Sequence, residues 1–253
     1  MNIVIIGSGN VAAVLGRKFT AAGHKIIQIY SRNASAASEL AYEWDTESAN
    51  YMTLINKHAD VYIIAVSDNA LEELVSKLKL PGKVVAHTAG SVSKEILKNI
   101  TSHYGVFYPL QSLRKEIISL PDIPVFFEGS DTIATSTLQK LAQSISFEQP
   151  VAAGSEDRLK LHIAAVVVSN FTNHLYMLAE RYCEVEGINF RQLLPLIEET
   201  VQRLKISSPA GTMTGPAMRN DQDTIQKHIE LLKNHPQLQK IYQVLTESIQ
   251  QTK

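Results

Sequence analysis

A strand–turn–helix frame at residues 3–19 limits the fold of this chain more than any other stretch. Ile3, Val4, Ile5 and Ile6 form an apolar, β-branched run of the kind buried on both faces of a sheet. The run breaks at Gly7-Ser8-Gly9-Asn10-Val11-Ala12, and Val11, Val14, Leu15 and Phe19 then recur at helical spacing. G-x-G-x-x-A between a strand and a helix is the frame of a dinucleotide fingerprint. Gly7 permits the tight turn, Gly9 lets a pyrophosphate approach the backbone, and Ala12 keeps helix and strand close. Amide N–H groups around Asn10 and Val11 are then free for phosphate. A glycine-rich turn without a ligand is the alternative.

The next strand, His24 to Tyr30, ends at Ser31-Arg32-Asn33. An NAD-preferring fold puts an acidic residue here, about 20 residues beyond the glycines, for the ribose 2′-hydroxyl. This chain has a hydroxyl and a guanidinium fork instead, Ser31 and Arg32, which suit a 2′-phosphate. NADP is therefore the expected cofactor.

Strand–helix alternation continues. Asn33 to Tyr42 reads as a helix, a weak third strand lies around Trp44 and Asp45, and Asp60 to Val66 is a clear buried strand. Val66, Ser67 and Asp68 at its carboxyl end would face a cofactor, unless Asp68 only caps the helix Ala70–Leu78. Lys83 to Ala86 leads into His87-Thr88-Ala89-Gly90-Ser91. That segment either reaches a nicotinamide or substrate carbonyl, or is a turn with Ser91 or Ser93 capping the next helix. Further strands are expected at Gly105–Tyr108, Pro124–Phe127 and Phe147–Val151, with a helix from Asp131 to Ile145. The pattern predicts a mainly parallel α/β sheet over residues 1–152.

Residues 153–253 read as all-helical. No proline or glycine interrupts Ser155 to about Gly187, which predicts one helix of about 50 Å. Helices at Phe190–Leu204, Asp221–Asn234 and Pro236–Gln250 come after it. Along the long helix His162, Val166, Asn170 and His174 repeat every four residues, with Ser169 and Asn173 beside that line. Burying such groups unpaired costs about 1–3 kcal/mol each. Either they bond among themselves or they line a polar cavity, with His162 as general acid and Asn170 orienting a substrate. Lys160, in a first helical turn, is a weaker candidate. Arg219, after Thr214-Gly215-Pro216, either clamps a substrate carboxylate or pairs with Asp221 or Asp223.

Composition removes several function classes. The 253 residues carry a net charge of −1, with no basic patch for nucleic acid. No apolar run reaches the roughly 20 residues of a membrane span, and the chain starts on a strand pattern rather than a signal peptide. A cytoplasmic protein is expected. Cys183 alone makes neither a disulfide nor a multi-cysteine metal site, and no metal is expected.

In order, G-x-G-x-x-A, Ser31-Arg32, the strand end at Asp68, His87-Thr-Ala-Gly, Pro109-Leu-Gln-Ser, His162…Ser169-Asn170 and Thr214-Gly-Pro…Arg219-x-Asp221 resemble one family over essentially the whole chain. That family joins a Rossmann-like NADP-binding domain to a helical domain of unknown function, DUF2520. It is distantly related to pyrroline-5-carboxylate reductases, deazaflavin-dependent NADP reductases and 6-phosphogluconate-type dehydrogenases. The resemblance implies a 6-phosphogluconate-dehydrogenase-like build and a homodimer formed through the helical domain, which in such relatives often places the active site between subunits. The family often has glycine at the position of Asn220. The lysine-plus-asparagine helix motif of β-hydroxyacid dehydrogenases is not matched, since Lys160 and Asn170 are ten apart. The expected activity is hydride transfer to or from a small carbonyl, imine or alcohol. Ser169, Asn173 and Arg219 are candidate substrate contacts, and His87, His162 and Asn170 candidate catalytic groups. A non-catalytic NADP-binding sensor or assembly protein is the alternative.

Overall fold

A computed structural model describes residues 1–117 and 119–252. The chain divides into two compact units, Met1–Val166 and Val167–Lys253.

The first unit is built on one eight-stranded sheet. Its strands are β1 (Asn2–Ile6), β2 (Lys25–Tyr30), β3 (Glu47–Ala49), β4 (Val61–Ile64), β5 (Val84–His87), β6 (His103–Pro109), β7 (Val125–Gly129) and β8 (Val151–Ala152). They lie in the order β3-β2-β1-β4-β5-β6-β7-β8. All neighbours run parallel except β6 and β7, which are antiparallel. The helices between them are α1 (Asn10–Ala21), α2 (Ala34–Glu43), α3 (Asp68–Lys77) and α4 (Thr132–Ile145), followed by α5 (Ser155–Ala165). The apolar run at β1 explains why both faces are covered. Ile3 and Ile5 pack into one cluster with Leu15, Phe19 and Leu138, while Val4 and Ile6 join the other with Leu71, Leu74 and Leu97. Strand alternation splits one sequence run between two cores. The order reverses direction between β1 and β4, the position where such sheets open a crevice at their carboxyl ends.

Two local expectations change. Trp44 is not in a strand: it ends α2 and lies against α1, where a Cβ on Gly16 would come within 2.2 Å of its ring. Asp45 then turns the chain at φ 50°, so β3 starts only at Glu47. The first unit also extends past the expected boundary at residue 152. The reason is Arg158 on α5, which is fully buried and donates to the Ala153 carbonyl and to Glu128 on β7, tying the helix start to the sheet.

The long helix is also not uniform. Between α5 and α6 (Thr172–Val185), residues Val166–Phe171 form a π segment. A π turn takes up about one extra residue, so the fourfold spacing from His162 to His174 does not define a single face. Gly187 ends the run at φ 70°, as expected of a helix-terminating glycine.

The second unit continues with α7 (Leu194–Arg203), α8 (Pro209–Thr212), α9 (Pro216–Arg219), α10 (Gln222–Leu231) and α11 (Pro236–Gln251). Asp221 caps α10 by accepting from the Thr224 amide at 3.1 Å. Asn220 closes α9 in the left-handed region, φ 57°. Asparagine is among the few residues other than glycine that adopt it readily, so the turn forms here without a glycine. Among the described residues no helix is long and apolar enough to cross a membrane.

Candidate functional site

The turn after β1 opens a cavity of about 360 Å³ at the carboxyl ends of β1, β2 and β4. Gly7, Ser8, Gly9, Ser31, Arg32, Val66 and Ser67 line it, all expected from the sequence. Its glycines do different work. Gly7 sits at φ 124°, and a Cβ there would lie 2.1 Å from the Ala65 carbonyl oxygen, so it is required for the chain to pass β4. A Cβ on Gly9 meets no protein atom within 4 Å. Nothing in the fold needs that space. Gly9 is also the N-cap of α1 and contributes no side-chain cap. The first amides of the helix, at Asn10, Val11 and Ala12, are thus left for an anion. The cavity fits a dinucleotide: an open glycine cradle, a helix start and a cation, Arg32, beyond them.

Gly9→Val should therefore keep the melting temperature within about 2 °C while weakening nucleotide binding at least about tenfold. A large fall in melting temperature would mean the glycine serves the fold instead.

The Ser31–Arg32 side of the cavity differs from expectation in detail. The Ser31 hydroxyl is nearly buried and already engaged, 2.8 Å from the Ser8 hydroxyl and accepting from the Asn33 amide at 3.2 Å. Arg32 is the accessible group, with its side chain 65% exposed. Its guanidinium donates to Glu73 on α3 at 2.7 Å. Glu73 lies forty-one residues further along the chain, so no local pattern marks it as part of this cavity. Asn10 holds a neighbouring loop through its side-chain oxygen, which accepts from the Lys115 amide at 3.3 Å. Asp68 does not cap α3. The cap position is Ser67, and Asp68 accepts from the Ser91 hydroxyl at 3.1 Å, bridging the β4 and β5 loops.

His87 and His162 separate in role. His87 is fully buried, with Nδ1 accepting from the Ala89 amide at 3.2 Å and Nε2 lying 3.3 Å from the Ser93 carbonyl. Burial foremost pushes its imidazole down to about 4. Both ring nitrogens are thus engaged by the loop that follows β5. Ser93 caps the short turn Lys94–Leu97, as expected.

His162 on α5 is half-buried, and its Nδ1 lies 3.1 Å from the hydroxyl of Tyr108 at the carboxyl end of β6. The two rings meet edge-on at 6.3 Å. Tyr108 can lie there because Gly90 has no Cβ, which would otherwise come 2.8 Å from its ring. Burial raises the Tyr108 phenol above its ordinary range, so it stays a donor. The sequence offered no sign of Tyr108 beyond its place before Pro109.

The other candidates lie in the second unit. Ser169 and Asn170 occupy the π segment, the first half-buried and the second exposed. Asn173 lines a groove of about 520 Å³ with Tyr176 and Phe190. Arg219 is exposed at the end of α9.

Two family models match successive parts of the chain. Residues 2–90 match the family described as NADP oxidoreductase coenzyme F420-dependent, and residues 123–249 match the domain of unknown function DUF2520. No curated protein sequence matches. Among solved structures, a putative NADP oxidoreductase from Bacteroides fragilis is 36% identical, with a TM-score of 0.91 over 99% of this chain and 98% of that one. A 1-pyrroline-5-carboxylate reductase from Streptococcus pyogenes shares the fold at 15% identity and TM-score 0.64, covering 99% and 98%. An imine reductase from Myxococcus stipitatus, solved with NADP+, does so at 14% and 0.67, covering 99% and 93%. With an NADP-oxidoreductase-type nucleotide domain in front and the helical domain behind, this chain belongs to the DUF2520 family of NADP oxidoreductases.

Proposed function

We propose that the chain moves hydride between NADP(H) and a small carbonyl, imine or alcohol, as a cytoplasmic homodimer joined through its helical unit. The cavity at the β1–α1 turn carries this reading, because its open glycine cradle leads to an exposed arginine where an NAD site would place an acid. The imine reductase neighbour, solved with NADP+, supports an imine among the substrates.

NADPH supplies the hydride when bound. The chain's part is to bind, orient and protonate. The amides of Asn10, Val11 and Ala12 take the pyrophosphate, and Arg32 takes the 2′-phosphate in a charge-assisted bond. With the Tyr108 hydroxyl donating to Nδ1, the His162 ring keeps its own proton on Nε2, ready to pass to a carbonyl oxygen or an imine-derived nitrogen. Asn170, Ser169, Asn173 and Arg219 are assigned to the substrate.

The dimer is supported by what the helical unit leaves uncovered. Val168, Phe171, Leu196, Ile206 and Leu231 are all more than half exposed, whereas Leu178, Cys183, Ala217, Ile225 and Leu232 are buried. Exposed apolar surface on this scale marks an association face.

Titration with NADPH and NADH tests the cofactor assignment. Arg32→Ala should weaken NADPH at least about tenfold and leave NADH almost unchanged. Equal losses for both would overturn the 2′-phosphate assignment. In a screen of small oxo- and imino-compounds, His162→Ala should cut turnover about 100-fold with little effect on cofactor affinity; unchanged turnover would remove it as proton donor.

A further inference from the structure

Arg32 meets a phosphate with one guanidinium nitrogen already engaged. One Glu73 carboxylate oxygen accepts from its guanidinium at 2.7 Å, and the other accepts from the Lys77 ammonium at 3.0 Å. Glu73 and Arg32 both line the nucleotide cavity. One carboxylate is thus shared between two cations, one oxygen for each, and only one of those cations faces the site where a 2′-phosphate is expected.

We propose that Glu73 sets the NADP-to-NAD preference of the site, by competing with the 2′-phosphate for Arg32 while Lys77 holds the carboxylate whenever Arg32 releases it. This rests on reading the cavity as the NADP site.

The competition is electrostatic. A guanidinium binds carboxylate and phosphate through the same kind of N–H donor, so the Glu73 carboxylate and a 2′-phosphate compete for Arg32. A phosphate monoester carries nearly two negative charges at neutral pH. Bringing it to Arg32 either displaces Glu73 or sets two anions side by side. Neither change is prohibitive, because the pair is solvent-exposed, its side chains 65% and 49% accessible. Lys77 lowers the barrier further. It sits one helical turn beyond Glu73 on α3, in the Glu-to-Lys order that favours such a pair, so the carboxylate keeps a partner after the exchange. A ribose 2′-hydroxyl meets no such conflict, since it can donate to Glu73. The acid missing after β2 is thereby supplied in space by α3. Glu73 taxes the phosphorylated cofactor and spares the other one, which narrows the selectivity that Arg32 alone would give.

The test uses the whole protein and four ligands that need no substrate: 2′,5′-ADP, 5′-AMP, NADPH and NADH, titrated calorimetrically into wild type, Glu73→Gln and Lys77→Ala. Glu73→Gln should tighten 2′,5′-ADP and NADPH about five- to tenfold and change 5′-AMP and NADH less than about twofold. Lys77→Ala should weaken 2′,5′-ADP about two- to threefold, because the carboxylate then has only Arg32. If wild type prefers 2′,5′-ADP to 5′-AMP and Glu73→Gln leaves that ratio unchanged, Glu73 is overturned while the cofactor reading stands. If neither wild type nor variant binds any of the four, both fall together.

Discussion

Glu128→Gln should destabilise the first unit by about 3–5 kcal/mol, read as a fall in the urea midpoint at pH 7 with unchanged slope. Glu128 on β7 receives Lys94 on one oxygen and Arg158 on the other. Burial alone would raise its carboxyl, but the hydrogen bonds from Lys94 and Arg158 outweigh that and hold it below the ordinary range. Arg158 has no exposed surface at all. It also donates to the Ala153 carbonyl at 2.8 Å, the Val92 carbonyl at 3.1 Å and the Ser155 hydroxyl at 3.3 Å, and its Nε is without a partner among the described residues. Removing the one negative charge leaves a buried guanidinium facing an ammonium. Desolvation dominates that cost, because the guanidinium cannot return to water without unpacking α5. Arg158→Met keeps the volume, leaves Glu128 paired with Lys94, and should cost less, about 2–3 kcal/mol. The double variant should be more stable than the sum of the two losses implies, since no buried guanidinium is then left without its carboxylate and only the Lys94 ammonium loses a partner. A loss below about 1 kcal/mol for Glu128→Gln would show that the cluster is already hydrated.

The same cluster shows where the sequence stopped being informative. Features set by local chain chemistry were legible. The strand–turn–helix frame placed Gly7, Ser8, Gly9, Ser31 and Arg32 around one cavity, because period and turn residues report on neighbours in the chain. The caps at Asp131 and Asp221 were readable for the same reason. Groups brought together across the sheet were not. Arg158 carries no sequence signal that sets it apart, yet it is the largest fully buried side chain among the described residues. Glu73 stands four residues before Lys77 on a helix, a spacing that signals only an exposed pair, yet it lines the same cavity as Arg32. Tyr108 carries no motif, yet it holds the ring of His162. The even His–Asn stripe misled in the opposite way. It assumed a regular helical turn, and the π segment at Val166–Phe171 breaks that period without leaving a glycine or proline to announce it.

Acidification from pH 7 to pH 5 should lower the stability of the first unit by about 2 kcal/mol through His87 alone. Its folded imidazole titrates near 4, against an ordinary value of 6.5. Burial is the main cause, and the Arg158 guanidinium adds to it, whereas the Ser93 carbonyl, Asp68 and Glu128 pull the other way. The sign comes from proton counting. Between pH 6.5 and about 4 the unfolded chain binds a proton that the folded chain refuses, so stability is full above 6.5 and is lost as pH falls through that window. Glu128 also loses stabilisation in acid, but below the ordinary carboxylate value, so its loss lies beneath the interval from pH 7 to 5. His24 shifts in the same direction as His87, through burial foremost, and leaves a smaller slope of its own. His87→Gln removes the main titrating group, so the urea midpoint should then lose most of its pH dependence across that interval. An undiminished slope in the variant would show that the ring is not the group responsible. The consequence reaches the site through the backbone. Nδ1 and Nε2 of His87 fix the loop that carries Gly90, and Gly90 gives Tyr108 the space to hold His162. A proton on His87 turns Nδ1 from acceptor to donor and sets it against the Ala89 amide. Acid that reaches this ring should therefore loosen the Tyr108–His162 pair, and a change in the His162 ring resonances between pH 5 and 4 that disappears in His87→Gln would be its signature.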